Sequence, residues 1–201
     1  MTNPIHTQKI NEYGRLFEIC QSFIGQKVEQ IIFYLDETDI NYTEQPNEYG
    51  KSLFNAVEFK ILDQTYCLGN LFFDKNFNGL NIKKGKTIDY ELIDDKKPII
   101  YPSELIGKEI IKTVIYWTES HYGRYFVPQE IEFKTETNLF LCSAIEINYG
   151  EVTSPLTDEL LIVENKYCLE KFKLGEYGIL TNERYVFSNV DELMENEKNI
   201  S

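Results

Sequence analysis

The chain has 201 residues, 42% of them apolar and 14% aromatic, which is enough to bury a core as one large domain or two of roughly 100 residues and excludes a disordered polymer. Acidic residues outnumber basic ones 33 to 20, for a net charge of -13 and a pI near 4.7. Such a surface repels nucleic-acid phosphates and anionic lipid, and attracts cations or basic proteins.

Only two alanines, Ala56 and Ala144, stand against 14 Tyr and 13 Phe, a balance that favours strand over helix. Residues 7–24 place Ile10, Tyr13, Leu16, Phe17, Cys20, Phe23 and Ile24 three and four apart, which predicts an amphipathic helix stopped near Gly25. From Val28 to Leu35 apolar side chains occupy both parities, the mark of a central strand. Val57, Phe59 and Ile61 then alternate with Glu58 and Lys60, which reads as a strand with one solvent face. Asp63-Gln64 and Asn78-Gly79 supply turns into strands starting at Thr65 and Leu80, so this part is an antiparallel meander. Lys97-Pro98 and Tyr101-Pro102 mark a junction, and Ser103 is placed to cap the turn Glu104-Leu105-Ile106. Beyond it, strands are expected over 109–117, 130–134, 139–147, 160–164 and 184–187. Asn189 to Glu197 reads as a short acidic helix that frays.

The junction separates two versions of one pattern. Residues 22–38, SFIGQKVEQIIFYLDET, match residues 104–120, ELIGKEIIKTVIYWTES, in an Ile-Gly pair, a Tyr and a Glu at a constant offset of 82. Val57-Glu58-Phe59-Lys60 is echoed by Ile131-Glu132-Phe133-Lys134 at an offset of 74, and Tyr66 aligns with Phe140. A shorter loop in the second copy explains the drop. After Asn148-Tyr149-Gly150 the resemblance fades. Repetition decides the fold: we expect an α+β protein of two tandem related copies of a mainly antiparallel β-sheet unit, the first preceded by the amphipathic helix. The copies span 1–100 and 101–201, the second with an acidic C-terminal tail, and without a Gly/Ser linker they pack together as one compact body.

Chemistry is sparse. Cys20, Cys67, Cys142 and Cys168 form no C-x-x-C pair and sit among apolar neighbours, as buried thiols do. No metal-ligand spacing and no phosphate-cradling glycine loop occurs, so neither metal nor cofactor is expected. The N-terminus shows no signal pattern and no run of 18 apolar residues exists, which points to a cytoplasmic protein of bacterial type, away from membranes. His121 follows Ser120, but neighbours on an extended strand face opposite ways, so the two are not a dyad. Lys83, Lys84 and Lys86 read as lysines guarding a sheet edge.

The informative contrast lies between the copies' loops. Asp36, Glu37, Asp39, Glu44 and Glu48 share one Pro-containing connection with Tyr42 and Tyr49, and no Lys or Arg intervenes. The matching stretch of the second copy carries His121, Tyr122, Arg124 and Tyr125 instead. Divergent loops on a repeated scaffold are how a duplicated frame acquires a binding face. A small, acidic, aromatic-rich chain of this kind is similar in general character to bacterial immunity proteins. That resemblance implies a non-catalytic protein-binding module, an antitoxin that occludes a basic toxin or effector, steered by the acids and anchored by the tyrosines. Two alternatives stay open. One is an accessory protein holding a small apolar ligand in an aromatic cleft between the copies, near Tyr34 and Tyr116. The other is a carboxylate-dependent hydrolase using Glu119 and His121.

Overall fold

The computed structural model describes residues 4–35, 51–70, 79–86, 97–99, 103–120, 125–148, 151–155, 160–164, 166–181 and 183–200. Helix α1 (Pro4–Ser22) leads into β1 (Val28–Leu35), β2 (Lys51–Ile61), β3 (Gln64–Asn70), β4 (Leu80–Lys84) and β5 (Lys97–Ile99). The second half supplies β6 (Lys112–Glu119), β7 (Phe126–Lys134), β8 (Leu139–Ser143), the hairpin β9 (Ile145–Asn148) and β10 (Glu151–Pro155), and β11 (Leu160–Val163). Helices α2 (Lys166–Lys171), α3 (Glu176–Leu180) and α4 (Val190–Ile200) follow. The fold is α+β, with two four-stranded antiparallel sheets in tandem and α1 before the first. No helix among the described residues is long and apolar enough to cross a membrane.

The two sheets repeat each other residue by residue. Ile31, Ile32 and Phe33 of β1 face Phe59, Glu58 and Val57 of β2, while Thr113, Val114 and Ile115 of β6 face Phe133, Glu132 and Ile131 of β7. Phe59 faces Tyr66 as Phe133 faces Phe140. Even the irregularity recurs: the first ladder skips Asn55 between Tyr34 and Leu35, and the second skips Gln129 between Tyr116 and Trp117. A bulge at equivalent positions bends both strands the same way.

The resemblance runs past residue 150, where the sequence seemed to lose it. Leu68 and Gly69 pair with Ile82 and Asn81 of β4, and their counterparts Cys142 and Ser143 pair with Ile162 and Leu161 of β11. Strand β11 is thus the fourth strand of the second copy, displaced in sequence by the inserted β9–β10 hairpin. The segment expected over 139–147 is accordingly two strands, broken at Ala144.

The copies meet through a reciprocal exchange of main-chain hydrogen bonds. Gly25 N donates to Ile110 O and Gly107 N to Val28 O, both at 2.8 Å; Ile110 N donates to Gln26 O at 2.9 Å and Val28 N to Lys108 O at 3.2 Å. Each bond maps onto another when the copies are swapped, so the contact is two-fold and isologous. Lys27 lies opposite its own counterpart Glu109. Gly25 and Gly107 have φ of 80° and 78°, a left-handed turn that residues with a Cβ adopt at a cost. The inner faces then share one core in which Phe59 packs on Phe133 at 5.3 Å and on Phe140 at 5.5 Å.

The two-fold is broken at one seam. Strand β11 pairs with β2 through Leu160 and Phe54, but β4 approaches β7 without a ladder among the described residues. The residue of β7 equivalent to Phe54 is Pro128, which has no N–H to give. Helices close the gap instead. Phe126 N donates to Glu197 of α4 at 2.7 Å, and Phe126 O accepts from Tyr13 of α1 at 3.1 Å. Tyr13, Leu16 and Cys20 on α1 are buried at the predicted spacing, with Trp117 against Tyr13 at 4.8 Å and Phe17 at 5.7 Å. The C-terminal helix expected to fray is docked by buried Leu193, Met194 and Glu197.

Replacing Gly25 or Gly107 by Ala meets no neighbouring atom within 4 Å, so only backbone strain opposes it. Each change should cost about 1–2 kcal/mol in urea unfolding. The two-fold makes the two costs equal within error, and a large inequality would show that the turns are not equivalent.

Candidate functional site

The outer face of the second sheet differs from what alternation predicts. Glu130 and Glu132 point away from the shared core, yet neither is solvated. Helices α2 and α3 cover them, because Cys168, Leu169, Phe172 and Leu174 pack on Val114, Tyr116, Leu141, Leu161 and Val163 as a second apolar cluster. A carboxylate under such a layer needs partners of its own.

Glu130 has two. Arg184 Nε donates to Oε1 at 2.7 Å and Gly175 N donates to Oε2 at 2.6 Å, while the Arg184 stem passes over Gly178, where a Cβ would collide with Arg184 Cγ. Burial raises the Glu130 carboxyl above its ordinary range, against the lowering effect of the guanidinium and the Gly175 N–H. Burial also pushes the Cys20 thiol up to about 12, which removes its nucleophilicity at neutral pH.

Glu132 sits where the covering layer opens. Tyr116 OH donates to its Oε2 at 2.7 Å, and Lys134 Nζ lies 3.4 Å from the same oxygen and 3.6 Å from Glu176 Oε2. Desolvation, reinforced by the Glu132 charge, raises the Tyr116 phenol, which stays a neutral donor. Around this group opens a cleft of about 570 Å³. Its walls carry five carboxylates, Glu104, Glu132, Glu136, Glu164 and Glu176, against Lys134 and Lys166. The Ser103 turn forms one rim: its hydroxyl accepts from Leu105 N at 3.2 Å as the sequence predicted, and donates to Glu164, while Asn138 Nδ2 donates to Glu104.

Strand-equivalent residues of the first copy are wired otherwise. Lys60, the counterpart of Lys134, pairs with Glu29 at 2.9 Å and Asp63 at 3.1 Å on the exposed hairpin, and the Lys60 hydrogen bond holds the Glu29 carboxyl below its usual range. The second copy alone turns its lysine toward a cleft among the described residues.

Asp36, Glu37, Asp39, Tyr42, Glu44, Glu48, Tyr49, His121, Tyr122 and Arg124 lie outside the described residues. Tyr125 is half-buried, and its carbonyl accepts from Ser120 N at 2.9 Å. Glu119 accepts from Tyr185 OH at 2.8 Å. Of the aromatic residues that recur between copies, Tyr116 is buried against Glu132, and its neighbour Trp117 is fully buried in the core. Sequence reasoning passed over Glu130, Glu132, Lys134 and Arg184, whose signal was a Glu-x-Glu on a strand followed later by the closely spaced Gly175, Gly178 and Arg184. All four cysteines are buried and form no disulfide, and among the described residues no group of three His, Cys, Asp or Glu is arranged to hold a metal ion.

No protein-family model, curated protein or solved structure matches the chain.

Arg184→Met strands the Glu130 carboxylate in the protein and should cost about 3–5 kcal/mol at neutral pH. A carboxyl whose folded pKa is raised binds its proton more tightly in the folded state, so stability rises as pH falls from that raised value toward the unfolded one. The deficit of the variant relative to wild type should therefore shrink between pH 7.5 and pH 5 in urea titrations. An equal deficit at both would disprove the coupling. A second prediction concerns Gln129, fully buried at the bulge with neither side-chain amide atom partnered among the described residues. Gln129→Met removes an unpaired amide and should stabilise the fold by about 1–3 kcal/mol, read as a raised denaturation midpoint with unchanged slope.

Proposed function

We propose that the chain is a non-catalytic protein-binding module of the immunity type, which captures a basic protein, a toxin or effector, and covers its working surface. The observation that supports this most is the cleft beside β7, where five carboxylates face two lysines in a chain of net charge -13. The arrangement favours holding a cation over transforming a substrate. Glu130, the carboxyl with a raised pKa, is sealed beneath α3 by Arg184, and Cys20 is a buried thiol pushed far from reactivity. A carboxylate-lined cleft with a rigid sheet behind it steers a basic partner and fixes its orientation. The aromatic side chains where the copies meet pack edge to face on each other, so their apolar area contributes to stability. The acidic connection with Tyr42 and Tyr49, which the sequence singles out, adds to the same field in this reading.

The partner is obtained by capture on the immobilised chain from a native lysate and identified by mass spectrometry. Its association rate should then fall steeply between about 50 and 500 mM salt. The triple variant Glu104→Lys, Glu136→Lys, Glu176→Lys should lower the rate at low salt by about tenfold or more, with dissociation changed less. A captured protein whose association ignores both salt and charge reversal would rule the mechanism out.

A further inference from the structure

The contact between copies is self-complementary: Gly25–Val28 donates two main-chain bonds to Gly107–Ile110 and receives the equivalent two in return. A surface of that kind accepts its counterpart wherever it is presented, including on a second copy of the chain. The covalent connection does little to prevent this. Ile99 ends β5 and Ser103 begins the turn of the second copy, a run that spans about 13 Å when extended. That is long enough to set two lobes side by side, and too short for one copy to wander far from the other.

We propose that the chain also forms a domain-exchanged dimer, in which the first copy of each molecule docks on the second copy of the other through the contacts that close the monomer. The β11–β2 ladder, the edge-to-face contact of Phe59 with Phe133 and the Tyr13–Phe126 bond at the seam all re-form in each lobe, because every one of them joins the first half of the chain to the second. The partner is thus a second copy of this chain. In dilute solution the tethered copies meet first, at an effective concentration of about millimolar. Because the copies share one core, the choice is made while the chain folds and is kept afterwards.

Lys27 and Glu109 face each other across the two-fold, and the four native thiols are buried. The double variant Lys27→Cys, Glu109→Cys therefore reports which chain supplies each side of the contact, since a disulfide between the two positions lies within one chain in the monomer and between chains in the exchanged dimer. Refolded from guanidinium and then oxidised, it should run as a monomer when refolded dilute. The ratio of covalent dimer to monomer should rise about tenfold for each tenfold increase in chain concentration during refolding. A protein that stays monomeric at about millimolar concentration, or dimers whose cross-links lie within single chains, would overturn the proposal. Wild-type chain carrying two different tags, mixed before unfolding, provides the second measurement. The tags should co-purify in a folded dimer after concentrated refolding and separate after dilute refolding. Their segregation under both conditions counts equally against exchange.

Discussion

Four main-chain hydrogen bonds around Lys27 and Glu109 set the rest of the structure. They come in two pairs that interchange when the copies interchange, so forming one half dictates the other. Both require the chain to reverse at a glycine with φ near 80°, directly before the first strand of each copy. Once the turns are made, β1 and β6 leave the axis in equivalent directions, and the ladders that follow bring Phe59 and Phe133 onto each other at its centre. A one-residue slip in either ladder would turn those rings outward, so the two-fold contact and the strand registers enforce each other.

What distinguishes the chain from a plain doubled sheet lies where that symmetry fails. Pro128 prevents the second copy from repeating the β11–β2 ladder, and the main chain of Phe126 is satisfied by Tyr13 and Glu197 instead. The cost is visible beside it, since the Gln129 side-chain amide and the Trp117 indole nitrogen are buried without partners among the described residues. On the outer face the departure is larger: α2 and α3 cover the second sheet, enclose Glu130 with Arg184 and leave Glu132 at the base of a polar cleft. Divergence from the repeat therefore coincides with the polar features, while the repeat itself is mainly apolar.

That division explains how much was legible in the sequence. The Ile-Gly pair and the Glu-Phe-Lys triplet repeat at constant offsets because backbone conformation and core contact constrain each position separately, and the ladders reproduce those offsets. The strand over 160–164 was expected, but its equivalence to β4 escaped because only Leu80 and Ile82 recur in β11, as Leu160 and Ile162, beyond an inserted hairpin that changes the offset again. Helix α4 read as frayed because its acids dominate the composition, although Leu193, Met194 and Glu197 share one face and are buried. Glu130 and Glu132 read as solvent-facing by strand alternation. Alternation reports which side of a sheet a residue occupies, and has no knowledge of helices that arrive some forty residues later to cover it.

The distribution of partners bears on how the acidic cleft acts in the proposed reading. Glu130, Glu132 and Glu197 are buried and hydrogen-bonded, so their charges hold the fold together and contribute little to the field outside. The field that an approaching cation meets comes from exposed groups such as Glu104, Glu136 and Glu176 at the cleft rim. Lys134 stands between the two sets, within 4 Å of Glu132 and Glu176 alike. A guanidinium or ammonium entering the cleft must compete with that lysine for Glu176, and can do so because the lysine keeps Glu132 when Glu176 is taken. The buried carboxylate thus retains its counter-ion throughout, and the rim is left to bind.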